Sequence, residues 1–164
     1  MLSLRLTIEP IPYASRLATL ANLLPPEQWD TLRRAVYRRA RYRCQICGRE
    51  GKMYCHEGWH FNEEKGNQFL LGFKALCKRC HDVKHLIFVC DDRLREKLIE
   101  HFMTVNRVTG EQAKEYLFTA YYRQRSLNQK QWIISYGKYN WQVPSVTTIE
   151  HRRSYTRFNH PRRR

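Results

Sequence analysis

Two Cys-x-x-Cys pairs, Cys44-Gln-Ile-Cys47 and Cys77-Lys-Arg-Cys80, constrain this chain more than any other feature. Four thiols in two close pairs describe a tetrahedral zinc site. The stretch between them is polar and punctuated by glycine, so it needs a metal staple to hold its shape. The second pair runs directly into His81-Asp-Val-Lys-His85, and Cys55-His56 lies in the interval. His81 and His85 stand one helical turn apart and can hold a second cation on one helix face. Cys90 fits no metal spacing and is expected to be a buried, inert thiol.

Three other readings of these residues fail on context. Cys77-Lys-Arg-Cys80-His81 matches the c-type haem attachment string, but haem of that type is attached outside the cytoplasm, and it leaves the first pair unexplained. His56-Glu57-Gly58-Trp59-His60 matches the zinc-peptidase string, which requires both histidines on one helical face. Gly58 and the surrounding aromatics argue against a helix there. A redox Cys-x-x-Cys motif comes singly at a strand-to-helix junction in a βαβ pattern, and no such pattern surrounds these pairs.

Charge points to the partner. Among 164 residues, 30 Lys plus Arg stand against 15 Asp plus Glu, a formal charge of +15. Such a clustered excess predicts attraction to polyanions, most plausibly nucleic acid. Arg5 and Glu9 interrupt the apolar character a secretory leader needs, and no run approaches the roughly 18 apolar residues of a membrane span. The expected location is the cytoplasm, where thiols stay reduced and prefer metal to disulfide pairing.

The pattern predicts an α+β fold in four stretches: an irregular N-terminal arm over 1–28, a basic helix plus metal core over 29–90, a helical extension over 91–150, and a basic tail over 151–164. Pro26 suits the first turn of the first helix, along which Trp29, Leu32, Val36 and Ala40 form an apolar stripe. Its other faces carry Arg33, Arg34, Arg38, Arg39, Arg41 and Arg43 with no acid among them, so phosphate contact is the expected use. Short strands are expected around Tyr54–Phe61 and Phe69–Phe73, with a turn between them, followed by about three helical turns from His81. Further helices follow over 93–104 and from Thr109, where Gln112 completes a capping box. Residues 131–141 suit a strand or extended arm. The tail holds six arginines, among them Arg152, Arg153 and Arg157, and no acid. Aromatic–basic mixtures at 121–125 and 155–158 could stack on exposed bases.

The string Cys-x-x-Cys…Cys-His…Leu-Cys-x-x-Cys-His-x-x-Lys-His, over roughly residues 42–86, resembles the HNH endonuclease family. That resemblance implies a ββα-metal fold of two strands and a helix, stapled by the zinc on Cys44, Cys47, Cys77 and Cys80. It implies His56 as general base for attack of water on a phosphodiester. His81 and His85 are then ligands of a catalytic divalent cation (Mg²⁺, Mn²⁺, Zn²⁺ or Ni²⁺), and Lys84 adds a phosphate contact. Two positions depart from the family pattern. Where members usually carry Asp or His before the base, this chain has Cys55, which either supplies a soft ligand or stands outside the site. The asparagine that braces the base falls on Gly72 by spacing, leaving Glu57, His60 or Asn67 as candidates for that task.

The expected function is therefore metal-dependent phosphodiester cleavage, with DNA favoured over RNA. The competing expectation is a non-catalytic zinc-stapled module that binds nucleic acid, alone or within a larger nucleoprotein complex. Few elements suited to reading bases are evident, so independent sequence recognition is not expected.

Overall fold

The structure, a computed structural model, describes residues 3–142. Arg152, Arg153 and Arg157, and the aromatic–basic segment 155–158, lie outside the described residues. Within them the chain is mixed α+β, with five α-helices and a three-stranded sheet. No helix among the described residues is long and apolar enough to cross a membrane.

The sheet is built on a long hairpin. Strand β1 (Met53–Asn62) pairs antiparallel with β2 (Asn67–Cys77), Met53 opposite Cys77 and Asn62 opposite Asn67. Asn62 Oδ1 accepts from the Lys65 amide at 3.1 Å, and Gly66 turns the chain at φ 62°, a conformation that favours glycine. Both strands run longer than the expected segments. The extra length of β2 matters because its last three residues, Ala75, Leu76 and Cys77, are buried and deliver Cys77 to its metal position. The register shifts between Gly58 and Trp59, where Leu71 is the extra, unpaired residue of a bulge in β2. Within residues 131–141, only Ile133–Ser135 forms a strand (β3); it pairs parallel with β2, so β1 remains an edge strand of the order β1-β2-β3.

Helices frame the hairpin. A single turn, α1 (Leu20–Leu23), precedes α2 (Pro26–Arg39), which has Pro26 at its start as its fixed φ prefers. Val36 is buried on the main core, and Trp29 and Leu32 pack toward a second cluster around Leu20, Leu24 and Tyr136. Arg41 and Tyr42 adopt left-handed φ values of 52° and 53°, swinging the chain from α2 into the first cysteine knuckle. The helix after the second knuckle, α3 (Lys78–Lys84), is shorter than three turns: it ends at His85, and a 3₁₀ turn over Leu86–Phe88 follows.

Helix α4 (Asp92–Asn106) starts under Asp91, whose side chain accepts from the Leu94 amide at 2.7 Å. Helix α5 (Gly110–Asn128) carries the expected capping box, with Thr109 and Gln112 satisfying each other's amides. The main core joins Leu98 and Phe102 of α4 and Ala113 and Ala120 of α5 to Met53, Leu76, Val83 and Leu86.

One expectation gains detail and one is corrected. The N-terminal arm is an integral layer: Leu6 and Ile8 are buried, and Asn106 brackets Leu6 with two backbone bonds of 2.9 and 2.8 Å. The Glu9 amide donates to the Lys84 carbonyl at 2.9 Å, tying the arm to the end of α3. Cys90 is exposed, because it lies in the loop between the 3₁₀ turn and α4 rather than on a core face.

Candidate metal centres and active site

Cys44, Cys47, Cys77 and Cys80 converge, with their sulfur atoms all within 4.8 Å of one another. Sulfurs bound tetrahedrally to zinc at about 2.3 Å sit about 3.8 Å apart, and Cys47 and Cys77 are 3.6 Å apart here. Four cysteines so placed could hold a metal such as zinc. The first knuckle is preformed by backbone bonds: the Cys44 amide donates to the Arg49 carbonyl at 2.8 Å, and the Gly48 amide to the Cys44 carbonyl at 2.8 Å. Gly48 takes a left-handed φ of 78° to close that turn. The knuckle docks on β2 through Gln45, whose amide and side chain both bond to Ala75.

Proton chemistry also favours a cation in this cluster. The hydrogen bond from the Cys80 thiol pulls Cys44 down to about 4. That same bond, together with burial and the charge of neighbouring thiolates, pushes Cys80 up. Four crowded thiols therefore resist ionising together unless a cation neutralises them.

Beside this clamp lies a second group. His56, His81 and His85 each offer a ring nitrogen within 4.8 Å of the others. The ring centres of His81 and His85 are 4.8 Å apart, and His56 sits 5.4 and 5.0 Å from them. The Cys77–Cys80 knuckle opens α3 and so presents the helix histidines to β1. Burial and the nearby histidine charges lower His81 to about 4 and His85 to about 3. Both rings are thus neutral near pH 7, with lone pairs free for a cation.

His56 is buried, and its Nε2 lies 2.9 Å from Glu9 Oε2. Burial alone would raise Glu9, but the bond and charge of His56, joined by the Lys84 ammonium, hold it down at about 2. An ionised carboxylate only accepts, so His56 Nε2 is the donor in that bond, and Nδ1 is the ring nitrogen turned away from Glu9. Glu9 thereby does the bracing that Gly72 cannot. Gly72 has no side chain and sits opposite Gly58 at the bulge with φ 142°. The three expected substitutes are committed elsewhere: Glu57 accepts from the Leu20 amide at 2.8 Å, the exposed His60 stacks on Phe69, and Asn67 pairs with Asn62 at the hairpin end.

Cys55 falls outside the histidine group. Strand alternation sends His56 toward α3 and turns Cys55 toward Tyr37 and the Arg33 and Arg39 guanidiniums of α2, though Cys55 still lines the cavity that opens over the histidines. Burial, reinforced by the Glu57 charge, pushes its thiol up to about 12.

Lys84 is also corrected. The side chain is buried, donating to Glu9 Oε1 at 2.9 Å and to Thr7 Oγ1 at 2.8 Å, and cannot reach a phosphate. Its task is to hold Glu9. Lys84→Met should therefore cost about 3 kcal/mol in a denaturant titration, because it strands a largely buried carboxylate without its cation. A loss below about 0.5 kcal/mol would show that the pair is dispensable.

The α2 arginines divide. Asp30, one turn upstream, pairs with Arg33 and Arg34, and Glu50 pairs with Arg43, so the expectation of uncompensated arginines fails for these three. Arg39 reaches only the Phe73 carbonyl at 3.5 Å. Arg38, Arg39 and Arg41 are exposed, and no ion pair holds them among the described residues.

A cavity of about 400 Å³ opens over the histidines, walled in part by Arg16, Trp29, Trp59 and Phe88. Glu57 also faces it; burial raises this carboxyl to about 7, and its Oε2 has no hydrogen-bond partner among the described residues. Comparison with protein-family models, with curated proteins and with solved structures finds no match. Function must therefore be argued from the site itself.

Proposed function

We propose that this protein is a metal-dependent nuclease that hydrolyses phosphodiester bonds, with DNA the favoured substrate. One observation carries the reading: three histidines from a strand and a helix meet beneath an open cavity, and one of them is clamped by an ionised carboxylate. In this reading the four cysteines hold a structural zinc that fixes β2 and α3, and His81 and His85 hold a divalent cation. That cation would polarise the scissile phosphate and stabilise the leaving oxygen.

The chain's own residues supply the rest. His56, held in one tautomer by Glu9, takes a proton from the attacking water on Nδ1. Lys84 keeps Glu9 ionised and fixed, as hydrogen-bonded neighbours do for a working imidazole. Arg16, stacked 4.7 Å over Phe88, adds positive charge to the cavity wall for the phosphate. The exposed Arg38, Arg39 and Arg41 offer further backbone contacts that carry no sequence information.

A second reading has its own support. His56 lies within the same 4.8 Å as the two helix histidines, so it can serve as a third metal ligand instead of a base. A non-catalytic, zinc-stapled nucleic-acid-binding module, alone or in a larger nucleoprotein complex, is the third reading.

Conversion of supercoiled plasmid to nicked circles, measured across Mg²⁺, Mn²⁺, Zn²⁺ and Ni²⁺ with a chelator control, tests the proposal. Metal-dependent nicking abolished by chelator is expected. Intact plasmid, linear DNA and RNA under every metal would leave the binding module as the better description.

A further inference from the structure

A second cavity, of about 460 Å³, lies on the outer side of the cysteine cluster, with Cys47 in its wall. Its rim brings together Arg5 from the arm, Arg49 from the first knuckle, Arg79 from α3, Lys97 from the first half of α4 and Arg107 from its C-cap. These cations come from four separate stretches of chain, so they do not follow from one basic run. All five are exposed, and none makes an ion pair among the described residues.

Neutralisation of local negative charge does not account for them. Glu100 is the single acid in the lining. Four thiolates around one divalent cation carry a net charge of −2. With Glu100 that makes −3 against five cations, and an excess of two positive charges remains in a concave site. Crowding five like charges around one concavity is unfavourable without an anion to fill the space.

We infer that this cavity is a phosphate-binding site that grips the backbone of a nucleic-acid strand, separate from the histidine cavity. The inference rests on the nucleic-acid partner of the proposed function and not on cleavage. Guanidiniums supply forked donors matched to phosphate oxygens, and convergence from four segments fixes the strand's position without reading its bases.

The test is binding of a labelled DNA duplex to the zinc-loaded protein, followed by fluorescence anisotropy over a salt series with no other divalent metal added. Arg49→Ala/Arg79→Ala/Arg107→Ala should lower affinity on the order of 10- to 100-fold at moderate salt. The slope of log affinity against log salt should become shallower by about 2 to 3, one lost phosphate contact per arginine. The matching triple lysine variant should keep most of the slope, which separates charge from packing. Zinc content and thermal melting report whether each variant is folded, and Arg49→Gln/Arg107→Gln serves if the triple variant is not. Unchanged affinity and slope in a folded variant would overturn the inference. So would binding of inorganic tripolyphosphate that the variants abolish, without any effect of the variants on DNA binding, which would indicate a free phosphate ligand. Weakened binding in the variants together with no cleavage by the parent protein would uphold this site and count against the nuclease.

Discussion

Cys77→Ser should abolish cooperative unfolding of this chain, and prolonged chelation should do the same to the parent protein. Three of the four clustered thiols, Cys44, Cys77 and Cys80, are buried members of the main core. Their cluster joins the first knuckle to the point where β2 becomes α3. Binding of a structural zinc contributes on the order of 10 kcal/mol, comparable to the whole net stability of a domain, about 5–15 kcal/mol. Losing one thiolate also leaves the zinc with three protein ligands in a site built to be closed. Thermal melts followed by circular dichroism, with zinc content measured on the same samples, check this. Cys90→Ser is the control: an exposed thiol outside the cluster should leave zinc content and melting unchanged. A Cys77→Ser protein that binds no zinc yet melts cooperatively near the parent temperature would show that the apolar core suffices without the clamp.

His85→Ala should remove one metal ion per chain, keep the zinc on the cysteines, and lower phosphodiester cleavage by at least about 100-fold. Removing even an outer partner of a metal-bound histidine costs about 10- to 100-fold, and a direct ligand should cost no less. The fold should survive. His85 is half-buried at the end of α3, and its ring packs on His81 and His56 rather than in the apolar core. Glu9→Gln should fall in the 10- to 100-fold range, because the amide keeps the shape but loses the charge that fixes the tautomer of His56. Metal content by mass spectrometry and initial rates of plasmid nicking report both effects. Full activity in His85→Ala would remove the histidine group from the chemistry.

Legibility in the sequence followed the range of the interactions involved. The cysteine pairs, the helix behind Pro26 and the Thr109/Gln112 cap are local patterns, set by residues within a few positions of each other, and all three appear in the fold. The His81/His85 pair was readable for the same reason. Glu9 was not, since its bond to His56 spans 47 residues and its salt bridge to Lys84 spans 75. A trace existed in the alternation of Leu4, Leu6 and Ile8, which marks the arm as a buried layer and leaves Glu9 as a lone acid beside it. Its partner could not be read from that pattern.

Lys84 shows the opposite error. A lysine between two histidines spaced for a metal looks like a phosphate contact. On a helix, however, it lies one residue, about 100°, around the axis from His85, and its side chain turns toward the arm and into the core. Cys55 was ambiguous for want of a strand register: once β1 is fixed, period-two alternation turns it toward α2 rather than α3. The arginines of α2 were overcounted because Asp30, left out of the count, sits three and four residues before Arg33 and Arg34.

The most direct test is His56→Ala, assayed for metal content and plasmid nicking on the same preparation. With His56 as general base, the variant retains both metals and loses cleavage by about 100- to 10,000-fold. Loss of the second metal along with cleavage would make His56 a ligand instead. Nicking at the parent rate with both metals in place would contradict the proposed chemistry at this site.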